Sequence, residues 1–256
     1  MAAPSAAEFA RWKQQCLSAA DLSRKGSIDE PIVELVNFIN GQEFLFTTSS
    51  CSGRISVFAE KHEEKKKGCD WLMISHSQTD TASVMTSLRM HDHTGSAVFK
   101  FEPFVLHVQC RTIQDARLLH QAGVQAGFRN SGISLGSKGK VVVAIRSTHT
   151  LEAPLSDRGR MLVDEGYVSY LVTAANGKLE ENQRRVQRFF CYLKEILSKQ
   201  AESVPSHTVQ HRKDKHQETH KNRKQQQEGR SDKSATHEEQ DHSDDGVDLH
   251  DLFEGS

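Results

Sequence analysis

The sequence lacks the cysteine patterns that mark disulfide frameworks and zinc sites. Five cysteines are scattered along the chain, and no two form a Cys-x-x-Cys pair. We therefore expect a reduced protein with no metal site. The chain also lacks an apolar run long enough to span a membrane, and it starts without the apolar core of a secretory signal. These absences predict a soluble, cytoplasmic protein with no membrane segment.

Several enzyme signatures are missing as well. No Gly-x-Gly-x-x-Gly follows a strand-like run, so the dinucleotide-type glycine loop of Rossmann domains is not predicted. No motif of a nucleotide triphosphatase, a zinc hydrolase or a kinase is present. Cys51 and Arg54 lie too close together in sequence for the loop of a thiol phosphatase. We interpret Cys51 as a space-filling residue of a tight loop, and not as a covalent nucleophile.

Composition divides the 256 residues into two parts. Positions 201–256 have few apolar residues, with 8 Lys and Arg against 13 Asp and Glu, and we predict that this His-rich charged tail is disordered. Positions 1–200 are long enough for one domain with a sizeable core. They carry 25 basic and 21 acidic residues, a balance of +4 that permits nucleic-acid binding without requiring it.

Apolar periodicity predicts both helices and strands in the first part. Helices are expected at Thr81–Met90 and Ile113–Ala126, and one long helix or two within Asp164–Lys199. Strands are expected at Trp71–Ile74 and Val141–Ile145, among others. The strands outnumber those of a strict βαβ alternation. We therefore predict a single α+β domain with a mixed or antiparallel sheet and flanking helices, distinct from the Rossmann fold.

A polar loop between two strand-like runs is the first candidate for a site. It offers hydroxyls, a thiol, a glycine that allows close backbone approach and a guanidinium with a planar fork of donors. Such a loop can hold an anion or the edge of a planar ligand, although an ordinary serine-rich hairpin turn has a similar composition. The candidate residues are Ser50, Cys51, Ser52, Gly53 and Arg54.

Three further clusters carry candidate residues. Within Lys100–Arg111, Glu102 precedes a proline and His107 lies inside an apolar strand, where it is either a base or a satisfied core imidazole. Gly127–Ile133 joins a helix to a strand and holds more functional groups than such a turn needs. Arg146–His149 follows an apolar strand, where polar residues form either a site or an exposed strand cap.

These four clusters resemble the tRNA wybutosine-synthesizing protein 3 family, and the resemblance extends from about Phe9 to Leu197. The family resemblance implies a non-Rossmann, S-adenosylmethionine-dependent methyltransferase. Its implied substrate is N4 of the wybutosine precursor, 7-aminocarboxypropyl-demethylwyosine, beside the anticodon in the stem-loop of phenylalanine tRNA. A non-catalytic tRNA-binding module and a small-molecule methyltransferase are the alternatives.

The resemblance and the residue types together suggest roles for the candidates. His107 and Glu102 are the candidate catalytic bases. The cofactor S-adenosylmethionine is expected at Ser50–Arg54 and at Arg129, Asn130, Ser131 and Gly132, and Arg54 and Arg129 are expected to share one pocket. Substrate contacts are expected from Phe128, Arg146 and His149. Which loop holds which ligand is left open, as is the oligomeric state.

Overall fold

A computed structural model of the chain describes residues 3–18, 26–60, 69–90, 95–136 and 139–203. Positions 204–256, nearly the whole of the predicted tail, lie outside the described residues, so the prediction of disorder there stays a prediction. Among the helices of the described ranges, none combines the length and the apolar character that a membrane crossing requires.

Within these residues the chain forms five α-helices, one short 3-10 helix and ten strands. The helices are α1 (Ala6–Ser18), the 3-10 helix (Glu30–Ile32), α2 (Val33–Gly41), α3 (Thr81–Met90), α4 (Ile113–Ala126) and α5 (Glu165–Ser203). The strands are β1 (Leu45–Cys51), β2 (Arg54–Glu60), β3 (Cys69–Ser75), β4 (Ser96–Glu102), β5 (Val105–Cys110), β6 (Gly132–Leu135), β7 (Val141–Ile145), β8 (Leu151–Pro154), β9 (Ser156–Asp157) and β10 (Arg160–Met161).

The strands form two four-stranded sheets and a small hairpin. The first sheet has the order β1-β5-β7-β6 and the second has the order β3-β2-β4-β8, while β9 pairs with β10. All strand pairs of the described residues are antiparallel. The predicted α+β fold without Rossmann topology is therefore confirmed, with antiparallel pairing throughout these ranges.

Two strand pairs pass from one sheet into the other through short connections. β1 leads into β2 through Ser52 and Gly53, and β4 leads into β5 through Pro103 and Phe104. Because β1 pairs with β5 and β2 pairs with β4, the two sheets are continuous here. We call these four residues the junction.

A single long helix packs against the cores of both sheets. The amino-terminal half of α5 contributes to the core of the second sheet, and its carboxyl-terminal half contributes to the core of the first. Because the helix spans both cores, it fixes the orientation of the sheets. The α5 residues in the second core are Val168, Leu171, Val172, Ala175 and Leu179, and those in the first are Val186, Phe189, Leu193 and Leu197.

Asn182 lies between these two sets and binds the junction. Its side chain is fully buried, its Nδ2 donates to the Ser52 carbonyl at 2.8 Å, and its Oδ1 accepts the Phe104 N–H at 2.8 Å. Gly53 allows this approach, because a Cβ there would lie 2.8 Å from Asn182 Nδ2 and because its φ of +97° disfavours other residues. The side-chain amide of Asn182 thus joins α5 to both connections between the sheets.

Candidate functional site

A chain of hydrogen bonds joins residues from all four sequence clusters. Ser49 Oγ lies 2.8 Å from His107 Nδ1, and Arg146 Nη2 lies 3.2 Å from His107 Nε2. The Arg146 backbone N–H in turn donates to Ser131 Oγ at 3.1 Å. Ser49 lies in β1 and His107 in β5, Arg146 directly follows β7, and Ser131 lies in the turn before β6. We call these four residues the polar row.

The polar row lies on the face of the first sheet that points away from the core. Leu106 and Val108 belong to the core, and side chains alternate along a strand, so His107 between them points to the opposite face. Across the sheet, His107 is paired with Ser49 on one side and with Ala144 on the other. His107 is nevertheless only 8% exposed, so its polar contacts form in a largely desolvated setting.

The neighbours of His107 determine its tautomer. A guanidinium only donates, so His107 Nε2 must accept from Arg146 and the ring proton must reside on Nδ1. Nδ1–H then donates to the Ser49 oxygen. Burial and the nearby Arg146 charge lower the pKa of His107 to about 4, so the imidazole is neutral at pH 7.

This arrangement favours a positioning role for His107. A general base takes a proton through an available lone pair, and the only lone pair of this imidazole already binds Arg146. The Ser49 hydroxyl is not activated by His107 either, since its oxygen accepts a hydrogen bond from Nδ1–H and His107 offers it no base. The row therefore fixes a guanidinium and a hydroxyl in space without an imidazolium charge.

The second sheet carries a charged ladder on its corresponding face. Arg54 Nε donates to Glu102 Oε2 at 2.5 Å, and Lys100 Nζ lies 3.6 Å from Glu102 Oε1 and 3.2 Å from Glu152 Oε2. The Arg54 guanidinium also lies 4.8 Å from the ring centre of Trp71. Because the two carboxylate oxygens of Glu102 already face Arg54 and Lys100, the placement of Glu102 favours an orienting role over that of a free base.

Part of the predicted cofactor loop is structural. Ser52 and Gly53 are buried in the junction, where the Ser52 carbonyl binds Asn182. Burial raises the pKa of the Cys51 thiol, which argues against a role for Cys51 as a thiolate nucleophile. Ser50 is half-buried, opposite Leu106.

The candidate residues of the third cluster, Gly127–Ile133, lie in different environments. Phe128 is fully buried, with ring centres 5.3 Å from Phe104 and 6.2 Å from Phe189. Such a ring has no accessible surface on which a base can stack, and its place in the core accounts for the aromatic residue. Ser131 joins the polar row, while the remaining candidates are exposed. Those exposed candidates are Arg129, Asn130 and Gly132.

Arg54 and Arg129 remain unlinked by the contacts of the described residues. The Arg54 guanidinium contacts Glu102 and Trp71 on the second sheet. Arg129 is exposed in the turn after α4. Their shared pocket therefore stays a prediction. Among the predicted arginines, Arg146 is the one that the hydrogen bonds of the polar row include.

His149 belongs to a different neighbourhood from His107. Its Nδ1 lies 2.5 Å from Ser147 Oγ, which accepts a bond from Arg185 Nη1 at 3.3 Å. The His149 ring packs 5.6 Å from Phe101, a residue of the second core. Burial and the Arg185 charge lower the pKa of His149. This side chain therefore contacts the second core and, through Ser147, Arg185 of α5.

Sequence reasoning missed several residues of the site. Ser49 belongs to the first sequence cluster, Ser49–Arg54, but is not among the expected cofactor contacts, and only its strand pairing with His107 identifies it. Asn182 and Arg185 lie within a long amphipathic helix, where polar residues are ordinary. Trp71 was assigned to a strand but not to a site. The one usable signal in the sequence is an asparagine at the boundary between the two apolar stripes of this helix, and it identifies Asn182.

Comparison with known proteins now identifies the family. Residues 11–195 match the protein family described as Methyltransferase TYW3. The chain belongs to this family. It is accordingly a methyltransferase, and the polar row and charged ladder lie entirely within the matched residues.

Relatives and solved structures agree with this assignment. The chain is 49% identical to a tRNA wybutosine-synthesizing protein 3 homolog from Bos taurus over 78% of each chain. It is 49% identical to the Homo sapiens homolog of the same name, over 76% of this chain and 75% of that one. The PH1069 protein from Pyrococcus horikoshii has a similar fold, with a TM-score of 0.67 at 33% identity over 73% of this chain and 97% of its own.

Proposed function

We propose that this chain transfers a methyl group from S-adenosylmethionine to N4 of the wybutosine precursor 7-aminocarboxypropyl-demethylwyosine. The substrate base lies beside the anticodon of phenylalanine tRNA, and the reaction is a cytoplasmic step of wybutosine biosynthesis. The methyltransferase family and the names of the relatives support the reaction class and the pathway.

The polar row is the observation that carries the proposal at the level of residues. Four segments spread from Ser49 to Arg146 converge in three consecutive hydrogen bonds. Methyl transfer from a sulfonium is an in-line displacement that needs no enzyme nucleophile, so positioning is the main task of the protein. A guanidinium held by a neutral imidazole suits the binding of a carboxylate, which S-adenosylmethionine carries.

We assign ligand contacts accordingly. Ser49 and Arg146 contact the cofactor, with His107 as their positioning residue, and the exposed Arg129 and Asn130 border the same end of the sheet. The charged ladder offers Arg54 and Lys100 to the RNA backbone, with Trp71 as an aromatic surface near them. Glu102 orients Arg54 in this scheme.

The reaction is tested with purified protein, S-adenosylmethionine and phenylalanine tRNA carrying the wybutosine precursor. Calorimetric titration with the cofactor, followed by titration with the tRNA, measures both binding events. Mass spectrometry of the digested tRNA then reports gain of one methyl group on the precursor. Saturable binding of both ligands and methylation of the precursor are the expected results.

The same measurements separate the alternatives. A non-catalytic tRNA-binding module binds tRNA without a saturable cofactor site, whereas a small-molecule methyltransferase binds the cofactor and ignores tRNA. Ser49→Ala tests the polar row, with Ser134→Ala as a matched control on an exposed position of β6. We expect weaker cofactor binding in the first variant alone, and equal affinities would contradict the assignment.

A further inference from the structure

Three potential metal ligands converge beside the junction although they come from separate segments. Asp29 precedes the 3-10 helix, Cys51 ends β1, and His76 follows β3. One ligand atom from each of the three lies within 4.8 Å of the other two. The sequence signal for zinc is close Cys or His spacing, which cannot reveal a set drawn from three distant segments.

The atoms around the His76 ring suit a cation. His76 Nδ1 lies 3.3 Å from Asp29 Oδ2, 3.0 Å from the Gly53 carbonyl and 3.2 Å from Ser52 Oγ. Three oxygen atoms thus surround one nitrogen, and Cys51 supplies sulfur nearby. Asp29 is 7% exposed, so its carboxylate is held in a desolvated position beside the junction.

From this convergence we infer that Asp29, Cys51 and His76 form a zinc site. Thiolate, imidazole and carboxylate are the ligand types that Zn²⁺ accepts, and three protein ligands leave the fourth tetrahedral position for water. Bonds of about 2.0–2.3 Å place tetrahedral ligand atoms about 3.3–3.6 Å apart. The Asp29–His76 separation of 3.3 Å already meets that value, and the sulfur, which lies within 4.8 Å of both atoms, needs a shift of at most about 1.5 Å.

The charges of the proposed site balance when the metal binds. On binding, the Cys51 thiol loses its proton to solvent, Asp29 coordinates as a carboxylate, and the His76 ring coordinates through Nδ1 with its one proton on Nε2. One thiolate and one carboxylate then neutralise Zn²⁺, which a buried site favours over a net charge. Burial raises the pKa of the free thiol, so coordination also requires a pH-dependent proton release.

Zinc at this position would connect three segments around the junction. Asp29 Oδ2 already accepts the Ser52 N–H at 2.8 Å. In the metal-free protein His76 Nδ1 lies 3.0 Å from the Gly53 carbonyl, a contact that zinc replaces when it binds Nδ1. The metal adds a link from these two residues to the end of β1. We therefore expect zinc to stabilise the whole domain, because a ligand that binds only the native state raises its stability.

The test uses the full chain, freed of metal with a chelator and kept reduced with a phosphine. Titration with Co²⁺ should give a thiolate-to-cobalt absorption band at one equivalent, and added Zn²⁺ should abolish the band and raise the melting temperature. Cys51→Ser should remove the band and weaken zinc binding about tenfold or more. Cys69→Ser is the matched control, a half-exposed cysteine at the start of β3, and should keep both.

A second variant protects the test against misfolding. His76→Asn retains an N–H donor for the Gly53 carbonyl but replaces imidazole with a poor zinc ligand, so it should fold and lose the band. If the wild type, freed of metal and then titrated with Co²⁺, shows no thiolate-to-cobalt band, the inference is overturned. A band of equal strength in Cys51→Ser, or zinc affinity unchanged in His76→Asn, would overturn it as well.

Discussion

The outer faces of the two sheets each hold an arginine side chain in place, the first with a neutral histidine and the second with a carboxylate. The polar row of the first sheet centres on a neutral imidazole that is 8% exposed. The charged ladder of the second sheet pairs Arg54 with Glu102 at side-chain exposures of 31% and 24%. A desolvated neutral group positions its neighbours with little dependence on salt, whereas a half-exposed charge attracts a charged partner over a longer range.

The difference suggests a division of tasks across the junction. The polar row holds donors rigidly, which suits a small ligand that must be oriented for an in-line displacement. The charged ladder suits a polyanion whose contacts are numerous and screened by salt. α5 and its residue Asn182 fix the positions of the two faces relative to each other, since they contact both sheets.

The largest effect is expected where both sheets depend on one residue. Asn182→Ala leaves the Ser52 carbonyl and the Phe104 N–H buried without their partner, which should lower the free energy of unfolding by about 2–5 kcal/mol. Asn176→Ala is the matched control on the same helix. Asn176 also makes two bonds, to Thr79, but it is half-exposed, and water can replace it at a loss of about 1 kcal/mol. Equal losses in urea unfolding would contradict this role of the junction.

Acid should destabilise the first sheet through His107. Its folded pKa, about 4, lies below the ordinary value of 6.5, so the unfolded chain binds more protons between these limits. The stability that the neutral ring contributes is therefore full above pH 6.5 and is lost as the pH falls toward 4, on the order of 3 kcal/mol in all. His149 adds to the slope in the same direction, because its pKa is also lowered.

Replacing His107 should flatten this dependence. In His107→Gln the side-chain carbonyl can still accept from Arg146, but nothing titrates, so the free energy of unfolding should fall less between pH 6.5 and 4 than in the wild type. Urea unfolding followed by circular dichroism at several pH values measures the slope. A variant slope equal to that of the wild type would assign the pH dependence to other groups.

Arg146 should affect methylation more than stability. Arg146→Met keeps the length of the side chain but removes the donor to His107 Nε2, so we expect at least about a tenfold loss in kcat/KM. Arg146→Lys should recover only part of it, because an ammonium does not reproduce the planar fork. The pKa of His107, followed by NMR, should also rise in Arg146→Met, since the guanidinium is one cause of its depression. Unchanged kinetics in both variants would remove Arg146 from the site.

The sequence predicted local elements well because they depend on local patterns. The bounds of α3, α4 and β7 agree with the expected Thr81–Met90, Ile113–Ala126 and Val141–Ile145. Helix caps and apolar periods are encoded in neighbouring residues, as in the capping box of Thr112 and Asp115 at the start of α4.

The site was predictable only in part, because it depends on pairing between distant strands. The four clusters were identified, but which member of each cluster joins the row depends on strand register. Ser49 faces His107 only because a register shift follows Thr47 in β1. Phe128 is predicted to bind substrate because a helix-to-strand turn does not need an aromatic residue, yet its ring fills the core of the first sheet.

The ion pair of the charged ladder should contribute modestly to stability. A double-mutant cycle with Arg54→Met and Glu102→Gln should give a coupling energy of about 1 kcal/mol that falls with added salt, because both side chains are partly solvated. The Arg184–Glu180 pair on α5 is the comparison, at 2.6 Å but with side-chain exposures of 56% and 54%. Its coupling should be about 0.3 kcal/mol, and a larger value there would contradict the ranking by burial.

Removal of the charged tail should have the smallest effect of all. The last residue of α5 in either core is Leu197, so a chain that ends near Gln200 retains the helix contacts to both sheets. The composition of positions 201–256 offers few apolar side chains with which to add to either core. We therefore expect the truncated chain to melt within about 2 °C of the full chain, a shift that corresponds to no more than about 1 kcal/mol, and to methylate the precursor tRNA at a similar rate. Differential scanning fluorimetry and the methylation assay check both points. A lower melting temperature would assign the tail a structural contact with the domain, and an unchanged melting temperature with slower methylation would assign it to tRNA binding.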